Sequence, residues 1–327
     1  MDVFRRGDAY VRGCGAHTRS TKIAEIELIG VPFDGYGRPG NQARAAAALR
    51  DAGLLDAFEH HHVAGHVDLD LPAGDSRRGQ TSLINERALM AMTRALNERV
   101  GSAVSGGRLP IVYGGDCSTL LGIVTGLRDH VGEVGLVFID GHEDSMPLDV
   151  SEDGEAANAE LGLLLGLTGR TLAGELGDRL PALRRDRLVV LGPRDDAWRQ
   201  RFNVGTLADN GVWLAPLAEV ADDPAGAGRR AIEQLAERVD RWWLHIDLDV
   251  LDPAVFPAQG LPDFPDEPGG LTWNQLTDMV MALFTTPASC IGGSIAIYDP
   301  DQDPNRTGAA QIVAFIRNVV ARPTISR

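Results

Sequence analysis

From residue 23 onward, short runs of β-branched and aliphatic residues alternate with longer stretches whose apolar positions recur every three or four residues. The short runs lie at 23–31, 110–113, 134–140, 187–191, 211–214, 242–247 and 289–297, with a weaker one at 63–69. Most are apolar at nearly every position, as strands covered on both faces are. The longer stretches, at 41–52, 82–104, 118–129, 156–167, 225–239, 271–284 and 309–320, have the period of helices with one buried face. Strand and helix taking turns predict an α/β fold of three α/β/α layers with a mainly parallel sheet of about eight strands. Gly- and Pro-rich segments at 35–40, 72–79 and 253–270 mark loops, and the last is long enough to form the wall or lid of a site.

The chain has 327 residues, and an α/β core of this kind accommodates 23–327 as one domain. Residues 1–22 carry Arg5, Arg6, Arg12, Arg19 and Lys22 with few acids and read as a disordered tail. With 31 basic against 46 acidic residues the net charge is −15, the wrong sign for a protein that neutralises phosphates, so no nucleic-acid partner is expected. The strongly apolar stretch at 161–167 is too short for a bilayer, and no apolar run follows the basic N-terminus, so no membrane partner is expected either. Three widely spaced cysteines, Cys14, Cys117 and Cys290, build no disulfide framework and point to a reducing compartment, by default the cytoplasm.

Three segments place polar residues where a buried strand ends: Tyr113-Gly114-Gly115-Asp116-Cys117-Ser118, Ile139-Asp140-Gly141-His142-Glu143-Asp144, and His245-Ile246-Asp247-Leu248-Asp249. In open α/β sheets ligands bind at the carboxyl ends of strands, where loops converge over a crevice. In Asp140-x-His142-x-Asp144 and Asp247-x-Asp249 the chelating side chains alternate, so a strand end points them to one side. Four carboxylates and an imidazole crowded together repel unless cations are present, and two divalent ions neutralise most of that charge. A lone Asp-x-Asp is usually a turn or cap. Its joint appearance at three strand ends is what points to a dinuclear metal site.

These segments resemble the ureohydrolase family of arginases and agmatinases, whose signatures read Gly-Gly-Asp-His-Ser, Asp-Ala-His-x-Asp and Ser-x-Asp-x-Asp-x-x-Asp-Pro. Ile26 to Phe33 is similar to the family's opening strand, and the order of elements agrees from there to Asp299. The resemblance implies an arginase-like fold and metal ligands at Asp140, His142, Asp144, Asp247 and Asp249, with Cys117 standing where the family has histidine. It implies two bridging carboxylates, Asp140 and Asp247, and a pair of divalent ions, manganese by the family's habit. The implied activity is that of an amidinohydrolase acting on linear amidines. A metal-bridging hydroxide attacks the carbon of a small cationic guanidino substrate, releasing urea or a substituted urea and an amine. Asp144 is then also catalytic, accepting a hydrogen bond from the hydroxide and protonating the leaving amine. Glu143, between two ligands, is expected to be nearly neutral to replacement. The family further implies a homo-oligomer, trimeric or hexameric.

Several positions depart from the family. Cys117 is read as a soft thiolate ligand that would favour Zn2+ or Fe2+ over Mn2+, as a buried small hydrophobe, or as a nucleophile with His142 for its base. The segment 154–165 lacks the family's shuttle histidine, leaving Asn158 as the nearest polar candidate. Asp196 stands near the position of a tail-binding aspartate, and Asp299 is the available substitute for a glutamate that faces the guanidinium. His245 replaces the serine of the third motif and is expected to make a hydrogen bond to the site instead of coordinating. These departures suit an arginine derivative such as N-hydroxyarginine better than arginine. A second reading is a degenerate member that binds metal or ligand without turnover, against which the five retained ligands argue.

Overall fold

The computed structural model describes residues 25–59, 61–75, 77, 79–151, 153–260 and 269–320. The expected tail at 1–22 and much of the expected lid at 253–270 therefore lie outside the described residues. Eight strands form one sheet: β1 (Glu25–Gly30), β2 (Val63–Asp68), β3 (Arg108–Tyr113), β4 (Gly135–Ile139), β5 (Leu188–Leu191), β6 (Trp213–Ala215), β7 (Arg241–Asp247) and β8 (Ser289–Ala296). Their order is β2-β1-β3-β8-β7-β4-β5-β6, and every pairing is parallel. From β3 the sheet grows outward through β1 and β2, and from β4 through β5 and β6. The ends of β3, β8, β7 and β4 thus lie side by side at the centre, although they are far apart in sequence.

Ten α-helices cover the two faces: α1 (Ala45–Asp51), α2 (Glu86–Ser105), α3 (Thr119–Val131), α4 (Glu160–Leu165), α5 (Gly174–Arg179), α6 (Asp196–Arg201), α7 (Leu217–Asp222), α8 (Pro224–Ala236), α9 (Trp273–Ala282) and α10 (Thr307–Val320). None among the described residues is long and apolar enough to cross a membrane. The inner strands β4, β5 and β7 are buried on both sides, whereas the edge strand β2 is largely exposed, and the inner strands divide their residues by parity. Trp242, Leu244 and Ile246 of β7 enter the core beneath α8 to α10, whereas Trp243 and Phe138 enter the core beneath α2 to α4. His245 and Asp247 follow Trp243 at two-residue steps and so point to the same side as Phe138 and Asp140.

The sequence pattern missed α5, α6 and α7, each of six residues, because fewer than two turns display no period. The helix expected at 156–167 is broken into a 3-10 turn (Ala156–Asn158) and α4, whose six residues are all buried, Glu160 included. A helix buried all round shows no polar face.

Candidate metal centre

Each motif reaches the site through a turn that its sequence requires. After β3, Gly114 and Gly115 both take left-handed φ values of 85° and 73°. A Cβ at Gly114 would lie 3.0 Å from the Ala46 nitrogen and 3.1 Å from the Val31 oxygen, so glycine is the residue that fits. Asp116 then accepts a hydrogen bond from the Ser118 N–H at 3.0 Å, and Cys117 is delivered to the entry of α3. Beyond β4, the Asp140 N–H donates to the Leu191 carbonyl at 3.0 Å, prolonging the ladder by one residue. The Asp140 carboxylate accepts the His142 N–H at 2.7 Å. Asp144 is held at a φ of 39°, and its carbonyl accepts the N–H groups of Leu161 and Gly162. Asp247 closes β7 and accepts the Asp249 N–H at 2.8 Å, while Asp249 accepts the Gly141 N–H at 3.0 Å. Backbone donors therefore aim the carboxylates before any ion is considered.

The structure brings together all six residues that the sequence assigns to metal. Four overlapping groups have donor atoms within 4.8 Å of one another: Asp140–His142–Asp144, Asp140–Asp247–Asp249, Cys117–His245–Asp247 and Cys117–Asp144–Glu160. Cys117, Asp140, Asp144 and Asp247 each belong to two of the groups, and Asp140 and Asp247 meet in one of them. His142 Nδ1 lies 2.9 Å from Asp249 and 3.4 Å from Asp140, and the Cys117 sulfur is in close contact with Asp247. Sequence reasoning missed Glu160. Its only signal was a single acid inside the apolar run Ala159 to Leu165.

Burial, reinforced by neighbouring carboxylates, pushes Asp140, Asp144, Asp247 and Glu160 well above the ordinary carboxylate range. The Cys117 thiol is raised by the same causes. Burial works the same way on Asp249, yet the His142 imidazole, Arg194 and the Gly141 N–H outweigh it and hold that carboxyl well below its usual range. His245, fully enclosed, is pushed down to about 3 by burial and is a neutral imidazole. Among the described residues, the Glu160 oxygens meet no donor other than the Asp144 carboxyl, and His245 Nε2 has no hydrogen-bond partner. Carboxyls crowded in full burial, beside an imidazole nitrogen without a partner, fit divalent cations. The oxygen-rich donor set suits manganese, and the sulfur of Cys117 extends the choice to zinc or iron.

A cavity of about 250 Å³ opens over this cluster, lined in part by Cys117, His142, Asp144, Asn158, Trp198 and Ile297. Asn158 thus faces the cavity, and its amide donates to Asp153 at 3.1 Å. The other two expected substrate contacts require correction. Asp196, whose side chain is 76% exposed, pairs with Arg199 on the surface of α6. Asp299 is buried and its carboxylate is taken up by neighbours, accepting from Asn41 Nδ2 of the turn before α1 and from the Asp301 N–H of its own loop, each at 2.9 Å. From that segment it is Ile297, at a φ of 58°, that lines the cavity, packed with Cys117, Ala157 and Ala296. Glu143 also differs from expectation. Only 1% of its side chain is exposed, and it pairs with Arg199 at 2.9 Å and accepts from Thr206 Oγ1 at 2.7 Å, so the neutral role drawn from its place between ligands does not hold.

A parallel α/β/α sheet with carboxylate clusters at its central strand ends defines a class, and sequence comparison agrees with it. The arginase family's sequence model matches residues 24–321, and the chain belongs to that family, whose members are hydrolases acting on carbon–nitrogen bonds of guanidino compounds and related amidines. The chain is 28% identical over 300 residues to an arginase of Bacillus caldovelox, covering 89% of this chain and 96% of that one. An arginase of Staphylococcus aureus is 27% identical over 312 residues, covering 90% and 97%. The solved structure of the Bacillus caldovelox arginase matches with a TM-score of 0.79 at 26% identity, covering 91% of this chain and 99% of that one. A formimidoylglutamase of Bacillus subtilis shares the fold, with a TM-score of 0.67 at 16% identity and coverage of 91% and 87%.

Proposed function

We propose that this arginase-family hydrolase holds two divalent cations between Cys117, Asp140, His142, Asp144, Asp247 and Asp249, and cleaves a small cationic arginine derivative such as N-hydroxyarginine. The supporting observation is the sharing of buried Asp140 and Asp247 between neighbouring donor groups, as bridging carboxylates require. When bound, such a pair supplies Lewis acidity and an acidified water.

The chain's own residues do the rest. Asp144, at the cavity wall, takes the proton of the attacking water and delivers it to the leaving amine, so that urea or hydroxyurea and an amine separate. Asn158 and Asp153, joined at the cavity mouth, receive the ammonium of the substrate's tail. The apolar floor of Ala157, Ala296 and Ile297 offers the reacting group no carboxylate from β8. That floor suits an N-hydroxyguanidine, which the electron-withdrawing oxygen makes less basic than a guanidine. A trimeric or hexameric assembly in the cytoplasm belongs to the same reading, and sedimentation of the purified chain tests the assembly.

The test is turnover of manganese-loaded protein over arginine, N-hydroxyarginine and agmatine, with urea, hydroxyurea and amine measured. The expected result is a higher kcat/KM for N-hydroxyarginine than for arginine. Preference for arginine overturns the substrate assignment, and two bound ions without turnover of any compound favours the degenerate, non-catalytic reading.

A further inference from the structure

Two departures from the family's signatures meet in space. Cys117 occupies the place of the first motif's histidine, and His245 that of the third motif's serine. In the fold, a ring nitrogen of His245, the Cys117 sulfur and an Asp247 oxygen lie within 4.8 Å of one another. His245 sits on β7 two residues before Asp247 and on the same face, directly beneath the cluster.

The ring is fixed on every side except one. It stacks on Phe138 with centroids 5.3 Å apart and an interplanar angle of 14°. Its Nδ1 lies 2.7 Å from Ser294 Oγ, which also accepts the Trp243 indole N–H at 2.9 Å. Nε2 has no hydrogen-bond partner among the described residues, although the residue is wholly buried. A neutral imidazole carries one proton. With the proton on Nδ1, donated to Ser294, Nε2 turns a lone pair toward a carboxylate and a sulfur. That arrangement is repulsive until a cation lies between them. A ring nitrogen tied to a neighbouring acceptor while the other faces the donor cluster is the usual posture of a metal-bound histidine.

We propose that His245 Nε2 is a ligand of the cation on the Cys117 side, supplying from β7 the imidazole that position 117 no longer provides. The inference rests on the two-cation centre proposed above.

The experiment uses full-length protein with 15N-labelled histidine, loaded with Mn2+, and counts the histidine nitrogen couplings by pulsed electron paramagnetic resonance. Wild type is expected to show two imidazole couplings, from His142 and His245. His245→Gln keeps one and weakens retention of one of the two ions against a chelator by at least about tenfold. His142→Gln also keeps one, which preserves the test should the His245 variant fail to fold. A single coupling in wild type, lost in His142→Gln and unchanged in His245→Gln, overturns the assignment while leaving the two-cation centre standing. Failure of wild type to retain manganese overturns both.

Discussion

The two halves of the candidate centre differ in how much of their charge the protein itself satisfies. On one side, Asp249 is held by His142, Arg194 and the Gly141 N–H and stays ionised. On the other, Cys117, Glu160 and His245 bring a thiol, a carboxyl and an imidazole into full burial, with the Asp144 carboxyl as the one side chain against Glu160 and with His245 Nε2 lacking a hydrogen-bond partner among the described residues. The first half keeps the family's residues, and the second is where this chain departs from them. The contrast teaches that the departures are concentrated about one ion position, and that the stability of that half is coupled to a cation.

Replacing a residue that both halves share breaks the comparison most severely. Asp247→Asn removes an anion common to two donor groups, and kcat/KM is expected to fall by more than the roughly 100-fold typical of groups that only support a ligand. Steady-state kinetics beside metal analysis reads this. An activity within tenfold of wild type contradicts the shared role.

Glu143→Ala separates scaffold from chemistry. The residue forms a buried pair with Arg199, which also binds Asp195 at 3.1 Å, and this network braces the loop that carries His142 and Asp144 from behind. Arg199 keeps Asp195 and Asp196 but loses one buried partner, which costs about 1–3 kcal/mol of stability, read by denaturant unfolding. Metal stoichiometry measured below the melting transition is expected to stay at the wild-type value.

Metal removal sharpens the contrast through pH. Four carboxyls, Asp140, Asp144, Asp247 and Glu160, are raised in the folded state by burial and mutual repulsion. The chelated folded protein therefore binds more protons than the unfolded chain above the ordinary carboxylate values near 4. Stability then falls as pH rises from that range through the raised folded values. Chelated protein is expected to melt at a lower temperature at pH 8 than at pH 5.5, and saturating Mn2+ to flatten the slope. A chelated protein that grows more stable with rising pH contradicts the electrostatic picture.

The smallest effect is expected outside both halves. Asp196→Ala, at an exposed carboxylate that reaches the buried Arg199 from the surface, should change kcat/KM by less than about twofold, and a larger loss measured with N-hydroxyarginine would return Asp196 to the substrate site.

The candidate ligand cluster was legible because its residues follow strand ends and alternate as strands do, so 140, 142, 144, 247 and 249 read as one side of a crevice before the sheet order was known. The parallel layering was legible from uniformly apolar runs. Glu160 was hidden because one acid in an apolar helix carries no period, and only its depth beneath Asp144 gives it meaning. His245 was expected to hydrogen-bond to the site, but its hydrogen bond runs sideways to Ser294 on β8, a neighbour that no local pattern supplies. Asp299 was expected at the site as the segment's available substitute for the family's glutamate. The left-handed backbone at Ile297 turns that residue to the cavity instead, and the Asp299 carboxylate is spent on Asn41 and Asp301.

The central claim is most directly tested by anomalous scattering from crystals of the manganese-loaded protein, collected on both sides of the manganese edge. Two peaks within coordination distance of the Asp140 and Asp247 carboxylates, one of them beside Cys117, are predicted. A single peak beside His142 and Asp249, or no peak among these residues, would contradict a two-cation centre.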